Sequence, residues 1–144
     1  MIWRPIRRAQ LRWTPTITFS TPGNLSVTYT VQAGDATIDG DEVRASFRIA
    51  TSAFTHTTAS GTLMVAGLGL TSANETNFVW DGACTWGGIT MPGGRTQIAV
   101  AMAANSTTFL FTASGSDVAP QNIAAADTPS GGTLILRGNL RFRI

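Results

Sequence analysis

The chain has 144 residues with ten arginines, no lysine, one histidine and one cysteine, and only 12% of it is charged, about half the ~25% of an ordinary soluble domain. Its length suits one domain with a real core; a lone cysteine excludes a disulfide scaffold or zinc ribbon. A hydrophobic fraction of 43% excludes a disordered chain, and the longest near-apolar run, Leu63–Leu70, falls far short of the ~20 residues of a spanning helix.

Charge is unevenly distributed along the chain. Arg4, Arg7, Arg8 and Arg12 lie in the first twelve residues, which hold no acid. The remaining 132 residues carry six arginines against eight acids, so the basic pI is assigned to an N-terminal arm, residues 1–12. No apolar stretch follows the basic segment, which argues against a secretory signal. A basic arm suits nucleic acid, an anionic membrane or an acidic protein surface. Here the arginines alternate with Ile2, Trp3, Ile6, Leu11 and Trp13, and tryptophan and arginine are common interface anchors. The expectation is docking onto a partner protein through Trp3, Arg4, Arg7, Arg8, Arg12 and Trp13, with no nucleic acid and no membrane as partner.

From residue 13 onward the pattern is β. Thr16–Phe19 predicts a first strand, and Leu25-Val27-Tyr29-Val31 alternates with Ser26-Thr28-Thr30. Val43-Ala45-Phe47-Ile49 alternates with Arg44-Ser46-Arg48. Further strands are predicted at Thr62–Ala66, Asn77–Trp80, Cys84–Thr90, Gln97–Met102, Thr107–Thr112, Thr133–Arg137 and Asn139–Ile144. Turn residues separate them: Pro22-Gly23-Asn24, Gly34-Asp35, Asp39-Gly40-Asp41, Asp81-Gly82, Pro92-Gly93-Gly94, Ser114-Gly115-Ser116 and Ser130-Gly131-Gly132. Only Asn122–Asp127 has helical character, for one turn. Many short strands at close spacing predict an all-β, antiparallel two-sheet jelly-roll sandwich over residues 13–144. Ile98–Met102 and Leu134–Leu136 lack a polar second face, which predicts that other subunits cover part of the surface.

Residue chemistry offers little for catalysis. His56 in Thr55-His56-Thr57-Thr58 has no nucleophile motif beside it, and Cys84 reads as a small buried hydrophobe. Asp35, Asp39, Asp41 and Glu42 form the one acidic cluster. Its leading reading is a tight hairpin turn, with calcium binding and glycoside cleavage as alternatives. The carboxylates are too local in sequence to flank a sugar. Trp80-Asp81-Gly82 and Trp86-Gly87-Gly88 place two indoles near a turn. Buried packing is the default there, while exposed indoles would stack on sugars, making Trp80, Asp81 and Trp86 the glycan-binding candidates.

The run Trp13-Thr14-Pro15-Thr16-Ile17-Thr18-Phe19, followed by Val27-Thr28-Tyr29-Thr30 and the stretch Gly34 to Gly67, resembles the small jelly-roll domains of tailed-bacteriophage structural proteins. These are often the C-terminal heads of tail fibres. Gly61-Thr62-Leu63-Met64-Val65-Ala66-Gly67-Leu68 matches a further segment of that pattern. Ala125-Ala126-Asp127, Gly132-Thr133-Leu134, Leu136, Gly138, Asn139, Leu140 and Arg141 match its close, with Leu140 where tyrosine is commoner. Leu70–Thr112 has no counterpart. The resemblance implies a virion component assembled in the bacterial cytoplasm, a homotrimer joined to capsid, neck or tail proteins. It implies no enzyme activity, cofactor or metal. Host attachment as a fibre or spike head, through a surface glycan, is the first role expected; capsid decoration is the second, and a glycan-degrading virion enzyme the third.

Overall fold

The computed structural model describes residues 8–144, so Trp3, Arg4 and Arg7 lie outside the described residues. The fold is all-β, a curled antiparallel sheet of ten strands: β1 (Arg8–Trp13), β2 (Thr16–Thr21), β3 (Ser26–Asp39), β4 (Glu42–Thr55), β5 (Ser60–Ala66), β6 (Val79–Gly87), β7 (Gln97–Ala103), β8 (Phe109–Gly115), β9 (Val118–Asn122) and β10 (Ile135–Arg143). Neighbouring strands run β1-β3-β4-β10-β6-β7-β8-β5-β2, and β9 pairs with β8. The predicted helical turn is one short 3-10 turn, Ala125–Asp127.

The sheet bends at β6. Val79–Ala83 pair with β7, whereas Cys84–Gly87 pair with β10. One half is therefore β1, β3, β4, β10 and the end of β6. The other is the start of β6 with β7, β8, β5 and β2. At the opposite side, only Thr14-Pro15 separates β1 from β2. There the Tyr29 hydroxyl accepts from the Ile17 amide at 2.9 Å, and the Gln32 amide donates to the Pro15 carbonyl at 2.9 Å. These two bonds draw the edge strand β2 toward β3.

The halves meet through aromatic side chains. Phe109 of β8 lies 5.8 Å from Trp13, 5.8 Å from Phe47 and 6.2 Å from Phe142, centroid to centroid. A cross-strand row on the inner face of the first half explains how these large rings fit. Trp13 faces Gly34, Gly34 faces Phe47, Phe47 faces Gly138, and Gly138 faces Cys84. Each ring fills the space a glycine leaves: a Cβ on Gly34 would sit 2.6 Å from the Trp13 ring, and one on Gly138 2.8 Å from Phe47.

Several glycines that predict turns are instead strand residues. Gly34-Asp35 lies inside β3, because Trp13 is seated over Gly34. Asp81-Gly82 lies inside β6, because the β10 backbone at Asn139 crosses directly over Gly82. Gly138 does not split β10. These are close backbone approaches, the second use of a glycine in a strand. By contrast Asp39-Gly40-Asp41 is the turn expected: Gly40 has φ +64° and joins the paired ends Asp39 and Glu42. Two strands were not anticipated. β9 contains Pro120, which an edge strand tolerates. β1 takes residues 8–13 into the sheet, so residues 8–12 of the expected arm form an edge strand together with Trp13.

Candidate functional site

Trp13 is only 7% exposed, and its indole N–H donates to the Asp35 carbonyl at 3.2 Å. It ties the chain's own β1 to β3 instead of facing outward. Arg8 and Arg12, from the same strand, point to solvent. Charge on an edge strand guards it against pairing with another chain.

Trp80, Asp81 and Trp86 do not converge. Alternation along β6 sends Trp80 and Trp86 to the inner side, with Asp81 exposed on the other. Trp80 is 9% exposed, and Trp86 packs against the core. Neither indole forms an open platform for a sugar.

The acidic cluster runs from β3 (Asp35, Asp39) through the turn (Asp41) into β4 (Glu42), and three of its four members lie near arginines. Arg8 lies 3.6 Å from Asp39, and Arg143 lies 2.9 Å from Asp41 and 3.3 Å from Glu75. Glu42 lies 3.1 Å from Arg44 and 3.3 Å from Arg141. The Arg143 guanidinium holds the Asp41 carboxyl below the usual carboxylate range, first by hydrogen bond and then by charge.

His56 has a structural place. Its ring packs against Phe19 and Phe54, and Nε2 lies 2.9 Å from the Thr128 hydroxyl. Together with the Gly131 amide donating to the Phe54 carbonyl at 2.8 Å, it fastens the loop after β4 to the loop before β10.

Cys84 ends the glycine–aromatic row, and burial pushes its thiol up to about 12. Because the thiolate is the nucleophile, a thiol reagent at pH 8 should modify native Cys84 at least ~100-fold more slowly than the urea-unfolded chain. Equal rates would show that the thiol is not held in an apolar site.

What sequence position alone obscures is where the arginines of the body lie. Register places five of the six, all but Arg95, on the outer face of the first half. Arg44 is directly opposite Arg141, and Arg48 is directly opposite Arg137. Between these two pairs sits the uncharged pair Ser46–Asn139, in a row that continues through Asp35 to Arg12. The four arginines thus bracket a shallow groove floored by Ser46 and Asn139. Along a strand the two pairs are roughly 13 Å apart, four residues at ~3.3 Å each. The basic character is therefore not confined to the arm. The signal was present in the spacing: Arg44 and Arg48 share one parity, as do Arg137, Arg141 and Arg143, so each set shares a face.

The second half presents a contrasting outer face. One row across it reads Thr18, Met64, Leu110, Ala101, Asp81. Ala99 and Thr112 lie beside it, and Val79 faces Ala103 at one margin. Asp81 is the one ionisable residue of this row. Val79, 52% exposed, extends the apolar margin, while Phe78 packs on Trp80 at 4.9 Å, centroid to centroid. The molecule therefore has two unlike broad faces, one bearing arginines and one nearly neutral.

No protein-family model, curated protein or solved structure matches the chain.

Proposed function

We propose that this chain is a non-enzymatic structural protein of a bacteriophage virion, a homotrimer whose neutral face packs against its own copies and whose N-terminal segment engages another virion protein. The neutral face carries this reading. A row of Thr18, Met64 and Leu110 closed by Asp81, with the small residues Ala99 and Ala103 and exposed Val79 beside it, offers a largely apolar, nearly uncharged surface, and such patches mark association sites. The resemblance of the Trp13–Phe19 and Gly61–Leu68 segments to phage jelly-roll domains supports the same class. A two-layer jelly-roll description goes with it, supported by Phe109 of one half packing on Phe47 of the other.

Of the two virion roles, capsid decoration is favoured over host attachment. Glycan capture needs open indoles, and Trp80 is buried while Trp86 packs on the core. Decoration needs broad faces that contact neighbours, which both halves provide. Particles lacking the protein should then rupture at lower temperature while still adsorbing to cells.

The direct test of self-association is a charge placed in the neutral face. Leu110→Arg should reduce the native mass to a single chain without altering the far-ultraviolet circular dichroism. An unchanged mass for this variant would remove the neutral face from the interface.

A further inference from the structure

We propose that the outward pair Arg48 and Arg137, flanked by Arg12, is a docking site for an acidic segment of a partner protein. The proposal rests on the reading of the chain as an assembly protein and names the chemistry of what it meets.

The two arginine pairs differ in one respect. Arg44 and Arg141 both reach Glu42, at 3.1 and 3.3 Å. Arg48 and Arg137 face each other across β4 and β10, and among the described residues no carboxylate lies within ion-pair distance of either. Residues 1–7 contain no acid that could supply one. Like charges placed directly opposite one another destabilise a sheet. A protein that keeps such a pair exposed gains from it when an anion bridges the two guanidinium groups.

The surroundings indicate which anion. Ser46 and Asn139 floor the groove beside the pair and offer neutral hydrogen-bonding groups. The next row toward the loop end is Val31, Ala50, Ile135 and Gly87, with Ile135 40% exposed. Arginines beside a small apolar row suit a protein segment, since guanidinium groups bind carboxylates in bidentate fashion. Nucleic acid is less well served. Trp13, Phe47, Phe142 and Trp86 belong to the core or pack on it, leaving no aromatic platform on this face for bases.

The test uses the full chain and a fluorescent oligoglutamate peptide, read by anisotropy across a salt series. The native protein should bind it saturably, with affinity that falls as salt rises. The double variant Arg48→Gln/Arg137→Gln should weaken binding ~10-fold or more, while Arg44→Gln/Arg141→Gln, whose charges Glu42 already balances, should weaken it less. The first variant should unfold at a temperature equal to or above that of the native chain, because it relieves repulsion. Equal binding by native protein and the Arg48/Arg137 variant would overturn the proposal, as would a lowered unfolding temperature for that variant. Tighter binding of oligothymidylate than of oligoglutamate would replace the protein partner with nucleic acid. The mass of the free protein is read separately: a single chain that still binds oligoglutamate through Arg48 and Arg137 would remove the homotrimer and leave the docking site standing.

Discussion

Replacing Gly82 by alanine is expected to lower the stability of the domain by about 3 kcal/mol, the upper range for forcing an atom into a packed site. The added Cβ would collide with the carbonyl oxygen of Asn139. That atom is backbone in β10, the strand that pairs with β4 on one side and β6 on the other. A flexible side chain could turn away; a central strand must shift and carry its neighbours with it. Gly93→Ala is the matched control, because nothing lies within 4 Å of its Cβ position and its φ is not positive. It should change stability by less than ~0.5 kcal/mol. Urea denaturation midpoints read the difference. Coincident midpoints for the two variants would mean that β6 and β10 do not cross as closely as described.

Trp13→Ala should cost ~3–5 kcal/mol, the range for deleting a large buried aromatic. The indole lies over Gly34, which has no side chain to close the void, and touches Phe47 and Phe109 at 6.0 and 5.8 Å. A domain of this kind has a total stability of roughly 5–15 kcal/mol, so the variant would sit close to its unfolding limit. The same experiment separates two roles for this residue. A residue serving only as a docking anchor would leave the urea midpoint unchanged when removed and would affect binding alone. A large fall in the midpoint assigns Trp13 to the core.

Most strands were legible from alternation. In β4, Val43, Ala45, Phe47 and Ile49 are buried in turn between exposed Arg44, Ser46 and Arg48, as a half-buried strand requires. The strand errors at Gly34, Gly82 and Gly138 have one physical origin. Glycine serves both where a chain turns and where another group must approach its backbone, and only the second applies here. Spacing along the chain does not tell them apart; the Trp13 and Phe47 rings and the Asn139 carbonyl that fill those places come from distant segments. β1 was hidden for another reason. Its alternation of Ala9, Leu11 and Trp13 with Arg8, Gln10 and Arg12 is present in the sequence, but a run of arginines without acids has the same charge whether it is a free arm or the solvent side of an edge strand.

The candidate site was less legible than the fold. Parity puts Arg44 with Arg48, and Arg137 with Arg141, but only the pairing of β4 with β10 places the two sets opposite each other. Summing charge over residues 13–144 also hid the pattern, since acids near one end of the arginine-bearing face balance its total. The burial of Trp80 follows from its position in β6, whose extent depended on recognising Gly82 as a strand residue. The lack of charge on Ile98–Met102 was legible, and alternation explains half of it. Ile98, Val100 and Met102 enter the core, while Ala99, Ala101 and Ala103 share the other side of the strand, where Ala99 and Ala103 are half-buried and Ala101 is covered by its larger neighbours.

Self-association through the neutral face decides whether the protein assembles as a trimer. Multi-angle light scattering of the full chain at micromolar concentration addresses it most directly. A trimer gives a mass three times that of the 15.2 kDa chain, persisting at high salt because the contact is not electrostatic. A mass equal to one chain would contradict it.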